Sequence, residues 1–160
     1  EACKQWTKSR MFYHSGAYRQ AVESYAEIQK EMRENARFMF EYGHALHKLH
    51  EPELSNKVLK EALKVSGDPM ILNIIGKNEQ EMKHYESAEY WFMRAVHRLP
   101  GRIYPYYLLA NLYADPSFYR RDKLERMVQT VLEKEPKIQS TAIKQMRRKA
   151  RELLKKVPEN

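Results

Sequence analysis

The sequence has little of what catalytic, disulfide-bonded or membrane-spanning chains usually contain. Its one cysteine, Cys3, excludes a disulfide within the chain. Five glycines and seven prolines in 160 residues leave no room for a flexible linker. The longest run without a charged residue, residues 103–114, is shorter than the ~20 apolar residues of a membrane-spanning helix. We therefore expect one compact domain over residues 1–160.

Motifs of known catalytic chemistry are also missing. The sequence has no glycine-rich phosphate loop, no nucleophile elbow and no paired-histidine metalloprotease motif. This predicts a chain that is not an enzyme and holds no cofactor. The first residue is Glu1 and no signal peptide follows it, which predicts a fragment or a processed product.

A pattern of small and aromatic residues recurs along the chain. Its clearest copy is Gly76, Tyr85, Ala88, Phe92, Ala95 and Pro100. A shift back by 33 residues takes Gly76 to Gly43 and Phe92 to Leu59, and a further shift of 34 takes Leu59 to Tyr25. An ordinary helical bundle predicts no such fixed shift, so we favour a repeat architecture.

The pattern resembles the tetratricopeptide repeat, in which helices A and B form one unit. The resemblance implies an all-α, tetratricopeptide-type right-handed α-solenoid of four helix pairs. The predicted units are residues 3–34, 35–67, 69–100 and 103–136. A capping helix is predicted over residues 140–156, with Ser140 as its N-cap.

The resemblance also implies a partner-binding groove lined by the A helices. This wall is basic, aromatic and rich in amides, which suits a protein partner or an extended peptide with acidic or aromatic side chains. As an alternative, Phe40 and Tyr107 pack against the next helix. The predicted groove residues are Trp6, Arg10, Tyr13, Arg37, Phe40, His44, His47, Asn73, Lys77, Tyr104, Tyr107 and Asn111.

Three histidines of the second predicted repeat, residues 35–67, have a spacing that could bind a metal ion. His44, His47 and His50 are spaced by three residues, so their imidazoles lie one turn apart on a helix. Four ligands are the norm for structural zinc, and only Glu51 stands near enough to add one. The sequence therefore favours groove or surface histidines over a metal site.

Most of the positive charge lies near the end of the chain. The formal net charge is +8, and residues 137–160 hold eight Lys or Arg against two Glu. We favour a solvated outer face on the capping helix. An anionic membrane surface is the alternative, whereas nucleic acid is not expected because no aromatic residue interleaves with the cations.

A second resemblance runs over nearly the whole chain. Residues 101–113 and 136–143, with Gly76, Tyr85, Ala88 and Glu89, are similar to the tetratricopeptide tail of bacterial O-antigen ligase or polymerase-type membrane proteins. The resemblance implies an accessory domain of a surface-polysaccharide protein, tethered to the bacterial inner membrane. It carries no catalytic residue into this chain, since that chemistry belongs to the membrane helices of the family.

These observations predict a non-catalytic protein-interaction or scaffolding module. An alternative is a glycan- or anionic-lipid-binding accessory domain of the same glycosyl-transfer system, which would use Tyr104, Tyr107 and the basic final helix. A third possibility is a domain that only packs against its own membrane portion.

Overall fold

The computed structural model describes residues 1–158, and the final two residues lie outside the described part. Within residues 1–158 all regular structure is helical, and no helix is long and apolar enough to span a bilayer. The helices are α1 (Ala2–His14), α2 (Tyr18–Met32), α3 (Ala36–Lys48), α4 (Pro52–Ala62), α5 (Pro69–Glu81), α6 (Tyr85–Arg98), α7 (Tyr104–Ala114), α8 (Arg121–Glu133) and α9 (Thr141–Lys156). A short 3-10 turn, Pro116–Phe118, connects α7 to α8.

Polar side chains cap the first turns of α5 and α9. Asp68 accepts a hydrogen bond from the Met70 amide at 2.9 Å, with Pro69 as the first helical residue. Ser140 accepts one from the Ile143 amide at 3.3 Å, which confirms it as the N-cap of α9. These contacts satisfy amide groups that have no partner inside the helix.

The helices form two compact units, Glu1–Met82 and Lys83–Asn160. In the first unit α1 packs on α2, α2 on α3, α3 on α4 and α4 on α5. In the second unit α6 packs on α7, α7 on α8, and α9 on both α7 and α8. The prediction of a single domain over residues 1–160 stays a prediction.

The repeat positions of the B helices are all buried. The small position is at most 1% exposed in each helix, and so is the large position four residues later. Both therefore lie in the close-packed interior. The small positions are Ala21, Ser55 and Ala88, with Leu124 in their place in α8, and the large positions are Tyr25, Leu59, Phe92 and Val128. The repeat register predicted from the sequence is therefore correct for α2, α4, α6 and α8.

The final helix closes the core of the second unit. Ala150 is fully buried in the core cluster, and Met146, Leu153 and Leu154 pack against it. Arg147 donates from Nε to the Val131 carbonyl at 3.1 Å and from Nη2 to the Lys134 carbonyl at 2.7 Å. A cation at these carbonyls complements the negative C-terminal end of α8.

Gly43 marks a close crossing of α3 and α4. The Ser55 hydroxyl of α4 donates to the Gly43 carbonyl of α3 at 2.7 Å, which joins the two helices at this point. A Cβ atom at position 43 would lie 2.6 Å from Cγ of Leu59. Leu59 is fully buried, so a methyl group at position 43 would have to displace it within a packed core, which favours glycine at this position.

We expect Gly43→Ala to lower the free energy of unfolding by about 1–3 kcal/mol, because the methyl group overpacks the core against Leu59. The loss should appear although alanine is the better helix former. Chemical denaturation followed by circular dichroism measures it. Gly101→Ala is the control, since nothing lies within 4 Å of a Cβ atom there. Equal stability of Gly43→Ala and the wild type would contradict the proposed crossing.

A candidate partner-binding face on the first unit

Helices α1, α3 and α5 of the first unit place polar and aromatic side chains next to one another. Four side-chain pairs join these helices, the last through His50 just after α3, and the partners of each are 31 residues apart: Arg10 with Glu41, Tyr13 with His44, His47 with Asn78 and His50 with Glu81. The atoms in these pairs are 2.7–3.0 Å apart. We call these contacts the four interhelix pairs.

Glu41 is the most buried charged group among them. Its side chain is 1% exposed, although a carboxylate normally stays in water. Oε1 accepts hydrogen bonds from Trp6 Nε1 at 3.1 Å and from the Tyr25 hydroxyl at 3.0 Å. Oε2 accepts from Arg10, whose Nε and Nη2 both lie 3.0 Å away. Three helices thus contribute to one satisfied buried carboxylate.

The carboxylate also acts on the tyrosines around it. Burial, and then the charge of Glu41, raises the pKa of Tyr13 to about 12. Burial and Glu41 also raise the pKa of Tyr25, which donates its proton to the carboxylate. Both phenols therefore stay neutral hydrogen-bond donors around neutral pH.

A row of stacked rings runs along α3. The Phe40 and His44 rings have centroids 5.8 Å apart at 20°, and the His44 and His47 rings 6.4 Å apart at 19°. All three residues are half-buried. The spacings of four and three residues place them on one side of the helix. We call Phe40, His44 and His47 the ring row.

The two histidines of the ring row are neutral near pH 7. Burial, with smaller contributions from Lys48, His47 and Lys77, lowers the pKa of His44 to about 4. Burial likewise lowers the pKa of His47. The ring row is therefore an uncharged aromatic strip among cationic side chains.

The orientation of His47 is set by a buried amide. Asn78 is fully buried and donates from Nδ2 to the Ser55 hydroxyl and to Asn56 Oδ1, each at 2.8 Å. Its Oδ1 therefore faces His47 and accepts from the ring Nδ1 at 2.7 Å. This arrangement leaves the lone pair of His47 on Nε2.

The structure brings seven of the predicted groove residues together on or beside this face. Six of them belong to the interhelix contacts or the ring row: Trp6, Arg10, Tyr13, Phe40, His44 and His47. The seventh, exposed Arg37, lies close enough to Tyr13 for its positive charge to oppose part of the rise in the pKa of Tyr13. Lys77 is half-buried on α5. Asn73 is 3% exposed, with its amide 3.7 Å from the Met70 sulfur.

The other three predicted residues lie on α7 of the second unit. Tyr104 and Tyr107 stack with centroids 6.4 Å apart, and both pack against the core of that unit. Asn111 donates its amide to the Tyr107 carbonyl at 3.2 Å. The prediction of one groove lined by all twelve residues stays a prediction.

Sequence reasoning missed the acceptors that hold this face together. Glu41, Asn78 and Glu81 are absent from the predicted site, yet each contacts an Arg or His 31 residues earlier. The available signal was a second period: complementary polar residues recur at a shift two or three residues shorter than the repeat.

The histidines are not gathered around a common point. Within residues 1–158 no group of three or more His, Cys, Asp or Glu side chains is arranged to hold a metal ion. His44, His47 and His50 each pair with a different residue through Nδ1.

No protein-family model matches the sequence, and no curated protein does. Solved structures are similar in fold. A crystal structure of MamA has a TM-score of 0.71 at 17% identity, over 92% of this chain and 90% of that chain. MamA 41-end from Desulfovibrio magneticus RS-1 has a TM-score of 0.71 at 15% identity, over 93% of this chain and 77% of that one. A further crystal structure of MamA protein has a TM-score of 0.65 at 16% identity, over 96% and 88%.

These neighbours confirm the predicted fold class. The chain has an all-helical, tetratricopeptide-like solenoid fold. At this level of identity the likeness shows the fold alone. No comparison links the chain to O-antigen ligase tails, so that resemblance stays a prediction.

We expect Glu41→Gln to lower the free energy of unfolding by about 2–4 kcal/mol, because the new amide turns an N–H group toward a donor and leaves it unpaired. Chemical denaturation measures the loss. Glu81→Gln is the control on the same face, since Glu81 pairs with a histidine that is 80% exposed. Its cost should stay under about 1 kcal/mol. Equal losses in both variants would contradict the role of Glu41.

We expect acid to destabilise the first unit through His44. The pKa of His44 is about 4 in the folded chain and 6.5 ordinarily, so the unfolded chain binds more protons between these values. The contribution of His44 to the free energy of unfolding is therefore fully present above pH 6.5 and is lost as the pH drops toward 4. From about pH 7 to about pH 5 the loss should be about 1–2 kcal/mol, discounted for partial exposure of the ring.

His44→Gln tests this pH dependence, because it keeps an acceptor for Tyr13 and cannot titrate. Denaturation of this variant should show a smaller loss between the two pH values than the wild type shows. His97→Gln replaces an exposed histidine of α6 and should leave the wild-type pH dependence intact. An unchanged loss in His44→Gln would disprove the assignment.

Proposed function

We propose that this chain is a non-catalytic protein-interaction module that holds an extended peptide segment of a partner on the face built by α1, α3 and α5. The tetratricopeptide-like fold supports an interaction module, because helical repeats present A-helix side chains in regular rows. The observation that carries the proposal is the ring row of Phe40, His44 and His47 with its cationic neighbours.

The chemistry of this face favours acidic and aromatic partner residues. Burial keeps His44 and His47 neutral, so their rings offer stacking surface near neutral pH. Arg37 and Lys48 are exposed at the two ends of α3 and can meet carboxylates of a partner. An extended segment along α3 would therefore meet a cation, three rings and a second cation in order.

The face is held rigid before any partner arrives. Tyr13 fixes His44 and Asn78 fixes His47, each at 2.7 Å. Arg10 lies over the Trp6 ring, 5.0 Å from its centroid, while it pairs with Glu41. Side chains that are already ordered lose little entropy on binding, which strengthens association.

The wider context rests on the sequence resemblance alone. We propose a parent protein of the surface-polysaccharide ligase or polymerase type, with this module tethered through it to the bacterial inner membrane. The glycan-binding alternative would use Tyr104 and Tyr107. Both rings pack against the core of the second unit, so we do not advance this alternative.

The proposal predicts binding of acidic peptides that depends on α3. Wild-type protein should bind immobilised peptides of about ten residues that combine Asp or Glu with aromatic residues, because such a segment spans the ring row. Arg37→Glu with Lys48→Glu should weaken this binding by about tenfold or more. Fluorescence titration with the best peptides gives the dissociation constants.

The matched control reverses two exposed cations of the B helices, with Lys30→Glu and Lys57→Glu. It changes the net charge equally and should bind as the wild type does. Circular dichroism must show that both variants keep their helicity. Absence of any peptide binding, or the same weakening in both variants, would reject the proposed face.

A further inference from the structure

The two units differ completely in net charge. Residues 1–82 contain twelve Lys or Arg and twelve Asp or Glu, and so are neutral overall. Residues 83–160 contain seventeen Lys or Arg against nine Asp or Glu. The whole formal charge of +8 therefore belongs to the second unit, and α9 alone holds seven cations against Glu152.

Four of these cations form one straight line on α9. Lys144, Arg148, Arg151 and Lys155 follow each other by four, three and four residues. At about 100° per residue they share a strip about 60° wide and about 16 Å long. All four are exposed, as are Lys149 and Lys156 beside them. We call the four aligned residues the basic stripe.

Among the described residues, the basic stripe has no ion-pair partner. On the neighbouring α8, Glu125 pairs with Arg121 at 2.7 Å and Asp122 with Arg126 at 3.3 Å. Glu89 of α6 pairs with Lys123 at 3.4 Å. Among residues 1–158, none of the six exposed cations of α9 has an ion-pair partner. A concentrated, unpaired charge of this kind attracts an anionic surface.

The remaining side of α9 is used for folding. Ile143, Met146, Leu153 and Leu154 pack against the core of the second unit, so the helix cannot turn its apolar side into a bilayer. Arg147 is likewise occupied by the carbonyl groups that end α8. Any docking through α9 is therefore electrostatic and stays at the surface of the target.

An exposed aliphatic residue precedes the helix. Ile138 is 79% exposed, next to exposed Lys137 and six residues before Lys144. An aliphatic side chain that enters the headgroup region of a bilayer buries apolar surface, which stabilises binding. Binding of single-stranded nucleic acid instead uses aromatic side chains on which the bases stack. No aromatic residue lies on α9. The combination of aligned cations with one exposed aliphatic side chain favours lipid.

We propose that the basic stripe and Ile138 dock this protein on an anionic phospholipid surface. Clusters of four to eight Lys or Arg on an amphipathic helix bind such surfaces, and each cation adds to the attraction. The docking site lies in the second unit and uses none of the residues of the proposed peptide-binding face. It therefore stands or falls independently of the proposed function.

Sedimentation of the full chain with vesicles tests the proposal. Vesicles of phosphatidylcholine with about 30% phosphatidylglycerol should bind the protein, and vesicles of phosphatidylcholine alone should not. Binding should weaken by about tenfold or more between ~0.05 M and ~0.5 M salt, because salt screens exposed charges. Ile138→Ser should remove the binding that persists at high salt.

The decisive variant replaces Lys144, Arg148, Arg151 and Lys155 with glutamine. It should lose vesicle binding by about tenfold or more while circular dichroism shows unchanged helicity. The pair Arg148→Gln and Arg151→Gln serves if the fourfold variant does not fold, and should give an intermediate loss. Replacement of Lys4, Lys8, Arg19 and Lys30 with glutamine removes equal charge from exposed positions of the first unit and should leave binding intact.

Three results would overturn the proposal. The first is no sedimentation with phosphatidylglycerol vesicles, and the second is equal sedimentation of the stripe variant and the wild type. The third is binding to a single-stranded oligonucleotide or to poly-glutamate with none to the vesicles, which would assign the basic stripe to another polyanion.

Discussion

The first unit depends on the satisfaction of one buried carboxylate. Glu41 would be costly at 1% exposure without partners, and its partners come from α1 and α2 while it lies on α3. Trp6, Arg10 and Tyr25 can meet it only if these helices adopt a single relative position. The same packing of α1 against α3 brings the Tyr13 hydroxyl beside His44. The fixed orientation of His44 in the ring row therefore depends on the burial of Glu41.

Desolvation decides the electrostatics of the proposed peptide-binding face. Burial is the largest cause of the lowered pKa values of His44 and His47. On this face the histidines provide neutral rings, whereas the Arg and Lys residues carry the positive charge. The sequence alone does not distinguish these two roles. The second unit differs, since its surplus cations are on the outside of α9, where water and salt surround them.

Much of the fold could be predicted because it depends on local spacing. Ser140 predicts the start of the final helix, and small and large residues at a shift of 33 or 34 predict the buried positions of the B helices. The partners of the site residues could not be found in this way. Arg10 and Glu41 are equally plausible as solvated charges until α1 and α3 are in contact, and the shift of 31 that joins them is visible only in retrospect.

By itself, the sequence determined that the chain pairs its helices, which positions of its B helices are buried, and that its cations concentrate near the end. Those properties follow from backbone geometry and composition, which act over a few residues at a time. Only the tertiary structure decided that Glu41 is buried and that the histidines of α3 are neutral and stacked. It also decided that Arg147 binds the carbonyl groups at the end of α8, whereas Lys144, Arg148, Arg151 and Lys155 stay exposed. The physical reason is that burial and hydrogen bonding depend on which helix faces meet, and residues far apart in the chain decide that together.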